Sequence, residues 1–309
     1  MKINIKNIKV RSICATLFIS LFLSCNNGIE ELQNQKDSIL SISNLRQNFL
    51  DIFTSFSDMF TDAFGITATT TKKEVGEQLG KLGKAVSEVK DKLKELKENE
   101  QFSLIKKDKA DEEITKVINT LENIVNGVDK IKDATANADD TGGDKDAKAA
   151  DTGSIKNLVE GINFIYGAAK KTEIPLEGKA VKTIEDSGAV GKLFHNNSTA
   201  NTPNVENALK GAQRAVIAAN GADILAAIEA VKGKSSGQAV QIQNATNAFE
   251  IAISTASGAN DLGSDVNTNA SAIAAGLALR AMAQSGKLAA HFWWCESKRS
   301  EFNINRVSF

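Results

Sequence analysis

The sequence predicts an all-α protein, an elongated helical bundle with heptad-patterned N-terminal helices. Three observations carry that expectation. Long stretches between Ile42 and Ile131 alternate apolar steps of three and four residues, the spacing of one helix face. Only two prolines, Pro175 and Pro203, interrupt 309 residues, and no strand pattern accompanies them. Ala, Lys, Glu and Ile are abundant beside a single Tyr, which is a helix-favouring profile. A net charge of −1 argues against nucleic acid as a partner and against a polybasic grip on anionic lipid.

The chain opens on a leader. Lys2, Lys6, Lys9 and Arg11 form a positive segment, and Ile13 to Leu23 is an eleven-residue run that is apolar apart from Thr16 and Ser20. A bilayer-spanning helix needs about 20 apolar residues, so this run reads as a signal peptide over 1–24. Ser24 then places a small residue before Cys25. A cysteine at the cleavage point predicts lipidation: its thiol takes a diacylglycerol, and cleavage frees its amine for N-acylation. Phe22 stands where a bacterial lipobox usually carries Leu, and Leu21 lies one position further back. Of the three cysteines, Cys14 leaves with the leader and Cys25 is acylated, so Cys295 is the one remaining thiol and no internal disulfide forms.

A polar tether, 25–36, leads into the first helix. Ile42, Leu45, Phe49, Ile52, Phe56, Met59 and Ala63 step 3, 4, 3, 4, 3, 4, and Leu50, Phe53, Phe60 and Phe64 widen the stripe beyond a narrow coiled-coil seam. Gly65 and the threonines at 67 and 69–71 end it. The second helix carries Val75, Leu79, Leu82, Val86, Val89, Leu93 and Leu96, with eight lysines and six acids between Lys72 and Glu98 on a solvated face. Gly76, Gly80 and Gly83 weaken its first turns by ~1 kcal/mol each relative to Ala. The third begins near Asp111, with Ile114, Val117, Leu121, Ile124, Val128 and Ile131. Short connections make an antiparallel bundle the economical arrangement, with Leu45, Phe49, Ile52, Leu79, Leu82, Val86, Leu121 and Ile124 in one core.

Asp133 to Gly153 loses the periodicity and gathers aspartates around Gly142-Gly143, which predicts an exposed loop. A calcium loop started at Asp139 fails, because Thr141 and Asp144 fall where an acid and Gly are needed. Ser154 is the expected cap of a helix carrying Ile155, Leu158, Val159, Ile162, Ile165 and Tyr166, ending near Pro175. Residues 195–201 read as a second exposed loop, with His195 on the surface. Thr202-Pro203 suits an N-cap with proline at N1, opening a helix through Val205, Leu209, Ala212, Val216 and Ala219. After Gly221, Ile224, Leu225, Ile228 and Val231 continue the pattern. Further helices are expected over 240–256 and from about Asp265. This half is alanine-rich, which lets helix axes approach closely.

Nothing points to catalysis. The two histidines, His195 and His291, have no metal-ligand partners at suitable spacing. Gly233-Lys234-Ser235 has Ile228 where a phosphate loop needs glycine, and Gly258 and Gly263 lead to Ser264 instead of Lys. The expectation is no enzyme, no catalytic residue, no metal, no cofactor beyond the lipid on Cys25 and no small-molecule substrate.

Residues 271–290, SAIAAGLALRAMAQSGKLAA, together with LFLSCNNGIEEL at 21–32, DIFTSFSDMFTDAFG at 51–65 and the charged second helix, resemble the variable large proteins (Vlp) of relapsing-fever Borrelia, which are related to VlsE. The likeness covers nearly all of 1–290. It implies an outer-membrane lipoprotein, lipidated at Cys25 and facing outward, that presents variable loops at the membrane-distal end of a helical scaffold and takes part in antigenic variation. Its implied partners are membrane lipid and host antibodies, and homo-oligomers are left open. A host-ligand adhesin is the alternative. Gln284-Ser285 departs from the lysine-bearing turn expected there. The chain thus divides into leader (1–24), tether (25–36), one helical domain (37–290) and an aberrant end (291–309). There HFWWCESKRSEFNINRVSF changes composition abruptly, as a shifted reading frame would.

Overall fold

A computed structural model describes residues 71–98, 108–136, 143–144, 146–171, 177–196, 205–234, 240–258 and 260–289. Cys25, the first expected helix with Leu45, Phe49 and Ile52, the Thr202-Pro203 cap and the 291–309 end lie outside them. The described secondary structure is helical apart from one two-residue ladder, in which β1 (Gly143–Asp144) pairs in parallel with β2 (Leu288–Ala289). The helices are α1 (Lys72–Glu98), α2 (Asp108–Thr135), α3 (Thr152–Lys171), α4 (Val205–Ala218), α5 (Gly221–Glu229), α6 (Ala248–Ile253) and α7 (Ala270–Met282). Short 3₁₀ turns occupy Gly188–Phe194 and Ile242–Asn244. Contacts divide the chain into two compact units.

The first unit holds the described residues 84–98 of α1 and 108–122 of α2. Val86, Val89, Leu93 and Leu96 are buried on α1, and Ile114, Ile118 and Leu121 on α2. These steps of three and four put one apolar stripe on each helix. Val117 is only half-buried, so the α2 stripe runs through its neighbour Ile118. The end of α1 meets the start of α2, where Lys97 Nζ donates to Thr115 Oγ1 at 2.8 Å and stands 3.4 Å from Asp111 Oδ2.

The second unit holds 71–83 and the described residues from 123 onward. Its centre is α7, which packs against α3, α4, α5 and α6. Every residue from Ala270 to Leu277 is buried. A helix apolar on all sides is a core helix, and its small side chains let neighbours approach closely. Residues α1 contributes here, Leu79 and Leu82, are half-buried, as is Ile124 of α2. The single core expected from Leu79, Leu82, Val86, Leu121 and Ile124 is therefore split between two units. Gly83 also has a positive role: a Cβ there would stand 2.9 Å from Val128 Cγ1, so its absence admits the neighbouring helix.

Several expected elements change. The helix expected over 240–256 is reduced to one 3₁₀ turn and the six-residue α6, because Gln241 and Thr255 are extended and pair with each other. The last helix starts at Ala270, five residues later than expected, capped by the Asn269 side chain, which accepts from Ala272 N–H at 3.2 Å. On α4 the buried face is Ala208, Gly211 and Ala215, while Val216 and Ile217 are 53% and 75% exposed. Close seating against Ser187 and Val190 selects the small residues over the bulky ones. The cap of α3 is Asp151, whose Oδ1 accepts from Ser154 N–H at 2.7 Å. Ser154, expected as the cap, instead donates its hydroxyl to Ala134 O at 2.8 Å and accepts from Gln284 N–H at 3.0 Å.

Candidate presentation surface

Two stretches expected to be exposed loops converge on one set of backbone bonds. Ala147 N–H donates to His195 O at 2.9 Å. Lys148 and Lys287 exchange both backbone bonds, at 3.1 and 3.0 Å. Asn196 N–H donates to Ala256 O, and Ala256 N–H donates to Phe194 O, both at 3.1 Å. One residue before Ala256, Thr255 N–H donates to Val240 O at 3.1 Å and Ile242 N–H donates to Thr255 O at 2.9 Å. Five segments therefore lie side by side in the order 287–289, 146–148, 194–196, 254–256 and 240–242.

That array corrects two expectations. The C-terminal part of the aspartate-rich stretch is fixed rather than free: Ala147 and Ala150 are buried and Asp151 N–H donates to Gln284 O at 2.9 Å. The side chain of Lys148 is exposed even so, and Asp146 is half-exposed. His195 is buried at 5% exposure, because the chain entering from the Gly188–Phe194 turn is pulled into the array before it reaches Asn196, which is exposed.

Beneath the array lies Arg280 of α7, with no accessible surface. Its Nε donates to Lys287 O at 2.9 Å, Nη1 to Ala252 O at 3.0 Å and Ser254 O at 2.6 Å, and Nη2 to Lys148 O. Its guanidinium carbon sits 4.7 Å from the centre of the Phe194 ring, a cation–π distance. Burial pushes the Arg280 pKa down to about 9, which still leaves it charged at neutral pH. A buried cation of this kind is tolerable only when carbonyls satisfy its donors. Lys72 acts similarly nearby, donating to Ala283 O at 3.2 Å and Gly286 O at 2.9 Å. Between those carbonyls Ser285 adopts φ 61, the left-handed region.

A second polar knot fixes the opposite end of α7. Asp223 closes a capping box with Asn220 at the start of α5. Its carboxylate accepts from Lys179 N–H at 2.8 Å and stands 3.1 Å from Lys182 Nζ. The Lys179 amide bond, then those from Lys182 and from the Asn220 amide, pull its pKa down to about 2. Ser271 of α7 donates to Lys179 O at 2.7 Å and the Asn269 side chain accepts from Lys182 N–H at 3.3 Å, so the same segment also ties to the central helix.

Among the described residues no cluster of three or more His, Cys, Asp or Glu is placed to hold a metal, and no helix is long and apolar enough to cross a membrane. The lysines and acids of α1 lie largely on its outer face, as the heptad spacing implied. Sequence reasoning singled out neither Arg280 nor the array. The only available signal was one arginine inside an otherwise apolar helix, ASAIAAGLALRAM.

Comparisons with known proteins bear on the whole chain. A family model described as Borrelia lipoprotein matches residues 49–308. Variable large protein 4 of Borrelia hermsii is 36% identical over 97% of this chain and 83% of its own length. Variable large protein 17 of the same organism is 34% identical, covering 90% and 78%. The crystal structure of the Lyme disease variable surface antigen VlsE of Borrelia burgdorferi matches with a TM-score of 0.68 at 28% identity, covering 82% of this chain and 83% of that one. The family match continues to residue 308, so the likeness does not stop at Ala290 as the change in composition suggested.

Proposed function

The chain belongs to the Borrelia lipoprotein family, and from that membership we propose that it is a lipid-anchored outer-surface antigen used in antigenic variation and evasion of host antibodies. The observation that carries the reading is the similarity over 97% of the chain to a variable large protein, supported by the likeness to a variable surface antigen. In this reading the leader directs export and Cys25 takes the acyl chains. More than one chain is needed for stable anchoring, since each buried methylene contributes ~0.8 kcal/mol. The helices act as a scaffold, and the polar segments between them face host antibodies. The proposal assigns the chain no reaction and no cofactor other than its lipid.

Two measurements test it. Protease added to intact cells should remove the protein without lysis, and Cys25→Ser should shift it from the detergent phase to the aqueous phase. Protection in intact cells would overturn surface display. Membrane retention of Cys25→Ser would overturn the anchor.

A further inference from the structure

Two Asn-Gly dipeptides lie among the described residues, Asn126-Gly127 in α2 and Asn220-Gly221 at the start of α5. This dipeptide carries its own chemistry. With no side chain on the glycine to hinder approach, the glycine amide nitrogen can attack the asparagine side-chain carbonyl and close a five-membered ring. The step forms one N–C bond and breaks the bond from Cγ to the side-chain nitrogen. That nitrogen leaves as ammonia, taking the proton of the glycine amide. Water then opens the succinimide at either carbonyl, leaving aspartate or isoaspartate. No oxidant and no enzyme is required.

The fold separates the two copies. Asn126 sits in the interior of α2, where its backbone and that of Gly127 are committed to the helix ladder. Gly127 is buried against α3, and a Cβ there would stand 2.6 Å from Gly161 O. Ring closure needs the asparagine ψ to leave the helical range, which would break α2 in its middle and lift it off α3. Asn220 is placed differently. It precedes α5 with extended backbone, φ −78 and ψ 171, and both it and Gly221 are exposed. As the first residue of the helix, Gly221 has no intrahelical acceptor for its N–H. The space beside it is open, since a Cβ there would meet nothing within 4 Å. What restrains Asn220 is the capping box: its Oδ1 accepts from Asp223 N–H at 2.8 Å, and its own N–H donates to Asp223 Oδ2 at 3.1 Å. A nine-residue helix is short for independent stability. Helix ends also fray, so opening a single turn releases the side chain.

We propose that Asn220 is a site of spontaneous covalent modification, converting to aspartate and isoaspartate while the fold protects Asn126. Aspartate caps a helix about as well as asparagine, so that product leaves α5 intact. Isoaspartate does not leave it intact. It routes the chain through the former side chain, and the carbonyl that accepts from Ile224 N–H at 3.1 Å becomes a carboxylate outside the main chain. The box with Asp223 then fails, and Asp223 is the residue that holds Lys179 N–H and Lys182 Nζ. The consequence is a loosened 178–182 segment beside a new negative charge. The reaction needs neither a partner nor display, so it stands apart from the surface-antigen reading.

The test ages the purified full chain in mildly alkaline buffer and follows two tryptic peptides by mass spectrometry, 215–232 for Asn220 and 117–130 for Asn126. The first should gain the mass of an amide-to-acid exchange at least about tenfold faster than the second, and an isoaspartyl methyltransferase should label it. In urea, where neither site is folded, the two rates should converge. Gly221→Ala, whose methyl group has open space in the fold, should slow the reaction without unfolding the chain. Asn220→Ser keeps a capping oxygen but has no amide to lose, so its 215–232 peptide should stay unchanged. Amide exchange at Lys179 and Ile224 should accelerate in chains carrying isoaspartate but not in Asn220→Asp, which reproduces the other product. Equal rates at the two sites in the folded chain would overturn the proposal. So would an Asn220 that stays intact over a time in which the urea-unfolded chain reacts. Unchanged exchange in the isoaspartate form would overturn its coupling to 178–182.

Discussion

The pair α1–α2 over 84–122 and the alanine-rich unit around α7 are both helical, yet different forces hold them. In the first, large aliphatic side chains at heptad spacing fill one seam and the charges stay in solvent. In the second, Ala and Gly bring backbones together, and a buried cation and a buried carboxylate bind loops to the helix between them. A seam of large side chains tolerates change on its outer face and suffers when a side chain is shortened. A close-packed unit suffers when a side chain is lengthened or a polar anchor removed. The two units should therefore respond to substitution with different sizes and, at some positions, opposite signs.

The largest effect is expected at Arg280. Arg280→Leu leaves the carbonyls of Lys148, Ala252, Ser254 and Lys287 without that donor. Lys148 O and Lys287 O keep the backbone bonds they accept from each other's N–H. Ala252 O and Ser254 O are the two left unsatisfied, and at ~2 kcal/mol for each the loss is on the order of 4 kcal/mol. Urea unfolding of the second unit should show it as a lower midpoint. A loss below ~1 kcal/mol would mean that water replaces the guanidinium, and the contrast between the units would fail at its strongest point.

Next is a pair of glycines on one helix. A Cβ on Gly161 of α3 would sit 2.5 Å from Gly127 O of α2, whereas one on Gly167 meets nothing within 4 Å. Alanine gains ~1 kcal/mol of helix propensity at either position. At Gly161 that gain is outweighed by overpacking against backbone, which costs ~1–3 kcal/mol and sometimes more. Gly161→Ala should lower the thermal midpoint and Gly167→Ala should raise it. Equal shifts of the same sign would show that the α2–α3 crossing is not close-packed.

The same contrast explains what was legible in the sequence. The span Lys72–Glu98 and its buried Val86, Val89, Leu93 and Leu96 follow from periodicity alone, since a seam of large apolar residues is a local pattern. The helix of Ile155, Leu158, Val159 and Tyr166 was legible for the same reason. On α4 the pattern misled: Val216 looked like core and is exposed, because Ala208, Gly211 and Ala215 form the tight face and small residues carry little periodic signal. The array was hidden altogether. Its order comes from backbone bonds between segments far apart in sequence, and backbone groups are alike at every position. The loop segments at 133–153 and 195–201 were legible as polar stretches, but the burial of Ala147, Ala150 and His195 was not.

A smaller effect is tied to acid. Asp223 titrates at about 2 in the folded chain against an ordinary value of 3.8. A carboxylate held below its unfolded value contributes stability above that value and loses it as pH falls through the folded one. Its contribution should therefore be complete above about pH 4 and decline toward pH 2. Asp223→Asn should be less stable than the parent at pH 6, and the gap should close as the pH falls to 2. A gap that stays constant would mean that hydrogen-bond geometry, not charge, ties 179–182 to α5.

The smallest effect belongs to the first unit and marks the other end of the comparison. Lys97 sits 3.4 Å from Asp111 with side chains 33% and 51% exposed, and it also donates to Thr115. Partly solvated ion pairs of this kind are worth 0.2–1 kcal/mol or less, because water screens the attraction and two long side chains lose freedom. The hydrogen bond to Thr115 exchanges for one to water with little net change. Lys97→Ala should therefore cost less than ~0.5 kcal/mol, and 0.5 M salt should erase most of it. Leu93→Ala, four residues away on the buried seam, should cost ~2–5 kcal/mol in the same assay. If Lys97→Ala approached the Leu93 value, the first unit would depend on its charges as the second depends on Arg280. The heptad seam would then be an insufficient account of what holds α1 to α2 over 84–122.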